Sequence, residues 1–374
     1  MKILFIVTEG SNGGAQKYVL QLARHFGGRV ASGGDSKYLE AQTLELGIPF
    51  HKIPSLQRDV SFTSDIRALF EIRKLVKEIR PDIVHLNSSK VGVLGSLASI
   101  NLPCKVIFTA HGFVFKENLT KVKKNLCILL ESASGLLRSH TITVSNEDKV
   151  LALRYRIAKP NSLTAIPNGI KKKLALDRNS ATFTLKLDPK QWYVGVIANL
   201  YKNKGIDLLI EAAAILKNNG KLNEISFVVI GEGPEREQLT KQIEKHSLEE
   251  RFILAGEIPG AEQLLSAFNI YCQPSRKEGA PFALLEAMNN QLPIIATDLP
   301  SVREVLGESG IYTHIEQPEE LAHAISALYN DPGLQQKLGE QAAIRANIFT
   351  EERMVASHQR VFAGLFDRSN AKLV

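Results

Sequence analysis

Ile270-Tyr271-Cys272-Gln273-Pro274-Ser275-Arg276-Lys277-Glu278-Gly279-Ala280-Pro281-Phe282-Ala283-Leu284-Leu285-Glu286-Ala287-Met288 is the stretch on which the reading of this chain turns. Its first four residues form a strand-like run, Phe282 to Met288 an apolar helical run, and a Gly-Ala-Pro turn between them separates two carboxylates by eight residues. The first backbone N–H groups of a helix have no acceptor within it, so they face whatever Glu278 faces. That makes an anion site with a carboxylate beside it. The same letters also describe a surface glutamate followed by an amphipathic helix, and the rest of the chain has to choose.

The strand-then-helix unit repeats on both sides. Upstream it reads Ile3–Val7, a helix from Gly14 to Phe26, Ile83–Leu86, a helix through Val91–Ile100, Val106–Ala110, a helix from Leu119 to Leu137, and Thr141–Val144. A second series runs Tyr193–Ala198, Gly205–Asn218, Ser226–Ile230, Pro234–Lys245, Phe252–Ala255, Ile270–Gln273, Phe282–Asn289, Ile294–Ala296 and Pro318–Asn330. Such alternation implies α/β architecture with parallel, doubly wound sheets. Ile166 to Ile170 closes the first series, and a polar stretch reaching Pro189 reads as a linker. The expected division is therefore residues 1–170, a linker at 171–190, residues 191–349, and a terminal amphipathic helix within 350–374. The run Gly27 to Gly34 leaves only a short second strand, which predicts a weakened sheet edge.

With 374 residues, 44% hydrophobic and 23% charged, the chain can fill two cores. Cys104, Cys127 and Cys272 lack metal-ligand spacing and read as buried thiols in a reducing compartment. The apolar run after Met1 ends at Val7, too short for a signal peptide, and no run reaches membrane-spanning length. These features predict a cytoplasmic protein with, at most, peripheral membrane contact. Residues 1–170 hold 23 Lys/Arg and 13 Asp/Glu, whereas residues 171–374 hold 23 and 26, so the net charge of +7 belongs to the first half. No basic helix interleaved with aromatics accompanies it, which argues against nucleic acid. An anionic membrane near Lys121, Lys123, Lys124 and Arg138, a phosphate-bearing acceptor, or a merely solvated surface all fit the charge.

Further motifs sit at the carboxyl ends of strands, where open α/β sheets bind ligands. Gly13-Gly14 opens a helix after the first strand. His111 follows Val106–Ala110, and Asn87 follows Ile83–Leu86. Asn199 to Gly205, including Lys204, follows Tyr193–Ala198. Gly231-Glu232-Gly233-Pro234 and Gly256-Glu257-Ile258 end the next two strands. The Gly-x-Gly-x-x-Gly fingerprint of dinucleotide enzymes is missing.

Taken in order, these motifs resemble the retaining glycosyltransferases of family 4, whose GT-B fold has two facing Rossmann-like domains and a terminal helix crossing back onto the first. The resemblance implies that Glu278 lies at the donor sugar, that Glu286 binds the nucleotide ribose, and that Gly279, Ala280, Phe282, Leu284 and Leu285 line the diphosphate at the helix start. It places Gly13 and Gly14 beside the donor, His111 near the sugar, Lys204 on the diphosphate and Ile258 at the base. Where the family carries Arg, this chain has Asn199, with Lys202 close by to supply charge. The implied activity is metal-independent transfer from a nucleotide sugar, UDP-linked, to a saccharide or lipid-linked saccharide, with no cofactor. An epimerase of the same fold and a non-catalytic nucleotide-sugar-binding protein stay open; turnover without acceptor marks the first, UDP binding without turnover the second.

Overall fold

The computed structural model describes residues 1–117, 119–172, 175–220 and 224–367. It divides into two units, one built from the chain up to Asn168 together with the segment from Glu351, the other from Gly169–Thr350.

In the first unit the elements are β1 (Ile3–Glu9), α1 (Gly14–Phe26), β2 (Arg29–Gly33), α2 (Lys37–Glu45), β3 (Phe50–Lys52), α3 (Phe62–Ile79), β4 (Ile83–Leu86), α4 (Ser89–Ala98), β5 (Lys105–Ala110), α5 (Lys121–Gly135), β6 (His140–Thr143), α6 (Asn146–Arg154) and β7 (Leu163–Ala165). The strands form one parallel sheet in the order β3-β2-β1-β4-β5-β6-β7. Because β1 is followed by winding first one way and then the other, the order reverses between β1 and β4. Leu4, Ile6, Val84, Phe108 and Ile72 fill the core on one face of this sheet. The expected weak edge is not there. β2 is five residues long and pairs with β1 on one side and β3 on the other, so a third strand covers it.

The second unit holds α7 (Arg178–Thr184), β8 (Trp192–Ile197), α8 (Ile206–Asn218), β9 (Ile225–Ile230), α9 (Arg236–Lys245), β10 (Phe252–Gly256), β11 (Ile270–Gln273), α10 (Phe282–Asn289), β12 (Ile294–Thr297), α11 (Pro300–Leu306), β13 (Ile311–Thr313), α12 (Pro318–Asn330) and α13 (Pro332–Ala346). Its parallel sheet runs β10-β9-β8-β11-β12-β13, reversing between β8 and β11. Val194, Phe227, Ile270, Ile210 and Ile325 anchor its core.

The stretch 171–190 is not a free linker, although Lys173 lies outside the described residues. Asp177 caps α7 by accepting from the Ser180 N–H, and Arg178 reaches the carbonyls of Ala267 and Gln191 at 2.9 Å each. A polar surface helix held by backbone carbonyls carries no apolar period, which is why it reads as linker. The terminal helix, α14 (Glu351–Gly364), joins the first unit: Arg24 of α1 donates to Glu351 at 2.8 Å, and Met354, Val355 and Phe362 are buried. The last seven residues of the expected terminal segment lie outside the described ones.

Two sequence expectations about single residues are also corrected. Cys272 is buried, but Cys104 and Cys127 are half-exposed. Arg138, expected as a surface cation, is buried: it donates to Glu131 at 2.9 Å and its guanidinium lies 3.9 Å from the centre of the Phe108 ring. A buried arginine persists because its partner and the aromatic face replace water.

Candidate active site

In the second unit β8 and β11 flank the point where strand order reverses, and both release their chains at their carboxyl ends into the expected site. From β8 the chain passes Asn199 and a 3₁₀ turn, Lys202–Lys204, before Gly205 opens α8. Gly205 has a φ of 68°, and a Cβ there would lie 1.9 Å from the Pro274 carbonyl oxygen. Only glycine satisfies both demands, so the Lys204 turn is pressed against the chain leaving β11.

That closeness joins Lys204 to Glu278. The Lys204 ammonium donates to both carboxylate oxygens of Glu278, at 2.8 and 3.0 Å. Oε1 of Glu278 also accepts from Gln273 at 2.6 Å and from the Ser275 hydroxyl at 2.7 Å, while the Ser301 hydroxyl donates to the Glu278 carbonyl at 3.0 Å. Glu278 is 7% exposed, so a buried carboxylate is charge-paired and nearly saturated with donors. Lys204 remains about a quarter exposed and faces the site with the only side-chain ammonium on that carboxylate among the described residues.

Sequence reading missed Gln273, Ser275 and Ser301. The available signal was two polar residues where a buried strand ends, Gln273 and Ser275, within five positions of Glu278. It also missed Arg276, which grips Asp207 with two bonds of 2.7 and 2.9 Å and the Lys202 carbonyl at 2.8 Å, bracing the turn that carries Lys204. Lys202, more than half exposed, donates to that same Asp207 at 3.0 Å, so in this structure its ammonium is turned toward the brace.

Gly279 and Ala280 are buried and lead to Pro281, the N-cap of α10, which has no side-chain cap bond. The Leu285 N–H donates to the Pro281 carbonyl at 3.4 Å, so the outward-facing amides precede Leu285 rather than including it. Phe282, Leu284 and Leu285 turn their side chains into the core, and Glu286 is buried on the first turns of the same helix. Ile258 sits half-buried just beyond β10. Asn199 is half-buried where β8 ends; there Gly231 and Gly233 bring the neighbouring chain so close that a Cβ would lie 2.0 Å from the Ala198 carbonyl oxygen and 2.5 Å from that of Leu200.

The first unit holds the other expected residues. Gly13 is the N-cap of α1 in extended conformation, and Gly14 is the first, exposed residue of the helix. A Cβ on Gly13 would meet only the flexible end of Gln16, so the fold itself makes no strong demand for glycine there. Asn87 is fully buried and donates to the His85 carbonyl at 2.9 Å, which removes it from any cleft lining. His111 packs edge-on against Tyr18, with ring centres 4.7 Å apart, and its enclosed Nε2 has no partner among the described residues. Burial, with neighbouring His358, pushes its pKa down to about 3, so the imidazole is neutral.

Two family descriptions match in tandem: Glycosyltransferase Family 4 over residues 12–173 and Glycosyl transferases group 1 over residues 177–345. The chain belongs to glycosyltransferase family 4. Its relatives include the Escherichia coli UDP-Gal:alpha-D-GlcNAc-diphosphoundecaprenol alpha-1,3-galactosyltransferase, 30% identical over 265 residues, a match spanning 66% of this chain and 65% of that one. The Escherichia coli O-antigen biosynthesis glycosyltransferase WclY is 26% identical over 312 residues, 81% of this chain and 84% of its own. Among solved structures, Anabaena HepE in complex with UDP and glucose matches with a TM-score of 0.84 at 19% identity, covering 97% of this chain and all of that one. Sucrose-phosphate synthase from Thermosynechococcus elongatus matches with a TM-score of 0.82 at 19% identity, covering 98% and 99%. Both structures share the fold, which is GT-B with two Rossmann-like domains.

Proposed function

We propose that this family-4 enzyme is a retaining transferase that moves a sugar from a UDP-linked donor to a saccharide or lipid-linked saccharide acceptor in cell-surface polysaccharide or glycoconjugate synthesis, working as a peripheral protein on the cytoplasmic face of the membrane. The observation that carries the reading is the Lys204–Glu278 pair, held where strand order reverses in the second unit and next to the start of α10. The relatives add support, one named for a UDP-galactose donor and a diphosphoundecaprenol-linked acceptor, another crystallised with UDP.

In this reading Lys204 and the α10 amides hold the diphosphate. The bond from the anomeric carbon to the phosphate oxygen breaks, the acceptor oxygen bonds the same face of that carbon, and the acceptor proton passes to the leaving phosphate. Lys204 and the helix dipole stabilise the charge that develops there. Glu278 fixes Lys204 and addresses the sugar, Glu286 binds the ribose, neutral His111 acts near the sugar, and Ile258 borders the base. Gly13, a glycine the fold does not require, and the exposed Gly14 beside it leave room for substrate. Binding and slow hydrolysis measured across a panel of nucleotide sugars test the donor assignment; a panel in which none binds would overturn it.

Two expected outcomes arise here. With Lys204 and a helix terminus carrying the diphosphate charge, EDTA leaves activity largely intact; activity abolished by EDTA and restored by manganese would refute that arrangement. Ribose contacts change little during reaction, so Glu286→Ala raises the donor dissociation constant by about 1.5–3 kcal/mol equivalent, with turnover at saturation nearly kept. Titration of UDP by calorimetry checks it.

A further inference from the structure

The amphipathic plan of α5 is inverted. Val122, Leu126, Leu129, Leu130, Leu136 and Leu137, at its outer face and just past its end, are all exposed, Val122 at 79% and Leu136 at 80%. At 100° per residue their spacing confines them to an arc of roughly 120° running the length of a helix about 22 Å long. The opposite face, which packs on the first unit's core through Cys127 and Ile128, carries the only carboxylate of the helix, Glu131, buried against Arg138. A helix that turns its leucines outward and its acid inward leaves an apolar strip that water disfavours, and another phase or partner must cover it.

We infer that this face of α5 is a membrane-docking surface that lies in the interface of an anionic bilayer. The charge around the strip selects that occupant. Lys121 and Lys123 flank it on either side, Lys124 is exposed on the same first turn, and no carboxylate within α5 reaches solvent. Two copies of this chain paired through α5 would bring like charges to a face without an acid to receive them. Anionic headgroups neutralise the lysines while the leucines enter the acyl boundary, and lysine stems reach upward past the apolar layer.

This deepens the peripheral placement proposed above without depending on the donor assignment, because vesicle binding is measured without nucleotide and donor hydrolysis without vesicles. The full chain is sedimented with phosphatidylcholine vesicles containing phosphatidylglycerol and with phosphatidylcholine alone. Anionic vesicles are expected to bind it in a salt-sensitive way. The exposed double change Leu126→Glu with Leu129→Glu is expected to lower partitioning about tenfold or more, and Lys121→Glu with Lys123→Glu to remove the preference for anionic lipid. Melting and donor hydrolysis remain those of the parent. No binding to anionic vesicles, equal binding to neutral ones, or leucine variants that partition normally would each overturn the proposal. So would sedimentation showing that the leucine changes abolish a dimer instead.

Discussion

Replacing Lys204 by Ala is expected to lower turnover at saturating donor on the order of 10²-fold or more, because it removes the cation aimed at the leaving diphosphate, whose charge grows only in the transition state. Glu278→Ala is expected to act nearly as strongly. Its carboxylate accepts the Lys204 ammonium through both oxygens and is itself held by Gln273 and Ser275, so the alanine variant frees Lys204 to swing away. Residues that act as one unit are non-additive, and the double variant should therefore be little worse than either single one. Single-turnover rates on proteins first shown to melt normally check this. Independent losses that multiply, or a Glu278→Ala enzyme with normal turnover, would show that the pair does not work as a unit.

Acid is expected to destabilise the first unit steeply. Tyr18 of α1 sits at the centre of a buried relay: His358 Nδ1–H donates to the Met354 carbonyl at 2.8 Å, which leaves Nε2 to accept the Tyr18 hydroxyl at 2.5 Å. Tyr18 oxygen then accepts from Thr109 at 3.1 Å, and Thr109 from His85 Nε2–H at 2.7 Å. The Tyr18 bond to Nε2 requires a neutral His358, which has no acceptor nitrogen once protonated. Burial holds His358 down to about 4, His111 down to about 3, and His85 well below its ordinary value. The unfolded chain protonates these rings near pH 6.5 and the folded one does not, so the unfolded state binds more protons and stability falls as pH drops below that point. Three such rings cost about 4 kcal/mol per pH unit, tapering where each folded ring titrates. Urea unfolding at about pH 7 and about pH 5 should show a large loss, and a stability independent of pH across that window would contradict the neutral relay.

The residues of the site were legible one by one because each lies in a local pattern, whereas the bond joining Lys204 to Glu278 across 74 positions was not. Glu278, Glu286 and the start of α10 lie within nine consecutive positions, and Lys204 follows a strand whose apolar run is unmistakable. The bounds of α1, α10 and α12 follow from the same local pattern. What sequence could not supply was pairing at a distance. Arg138 looks like one more surface cation until Glu131, seven residues earlier, is seen turned inward with it. Tyr18 and His358 are separated by 340 positions, and no periodicity connects them. Helix α3 escaped notice because only Ala68, Ile72 and Val76 of its 18 residues are buried, a stripe too narrow to stand out. Helix α13 opens with Pro332 and Gly333, which read as a break although proline suits the first turn of a helix.

The chain enters and leaves the second unit side by side, with the Ile170 N–H donating to the Phe349 carbonyl at 3.0 Å and Ile170 bridging Thr350. On the ribosome this imposes an order. All residues of the second unit have been made once Thr350 is added, whereas the first unit still lacks α14, and with it the acceptor for the Tyr18 hydroxyl and the partner of Arg24. The half of the protein begun first is thus completed after the second unit, and its buried relay closes only once α14 has been made.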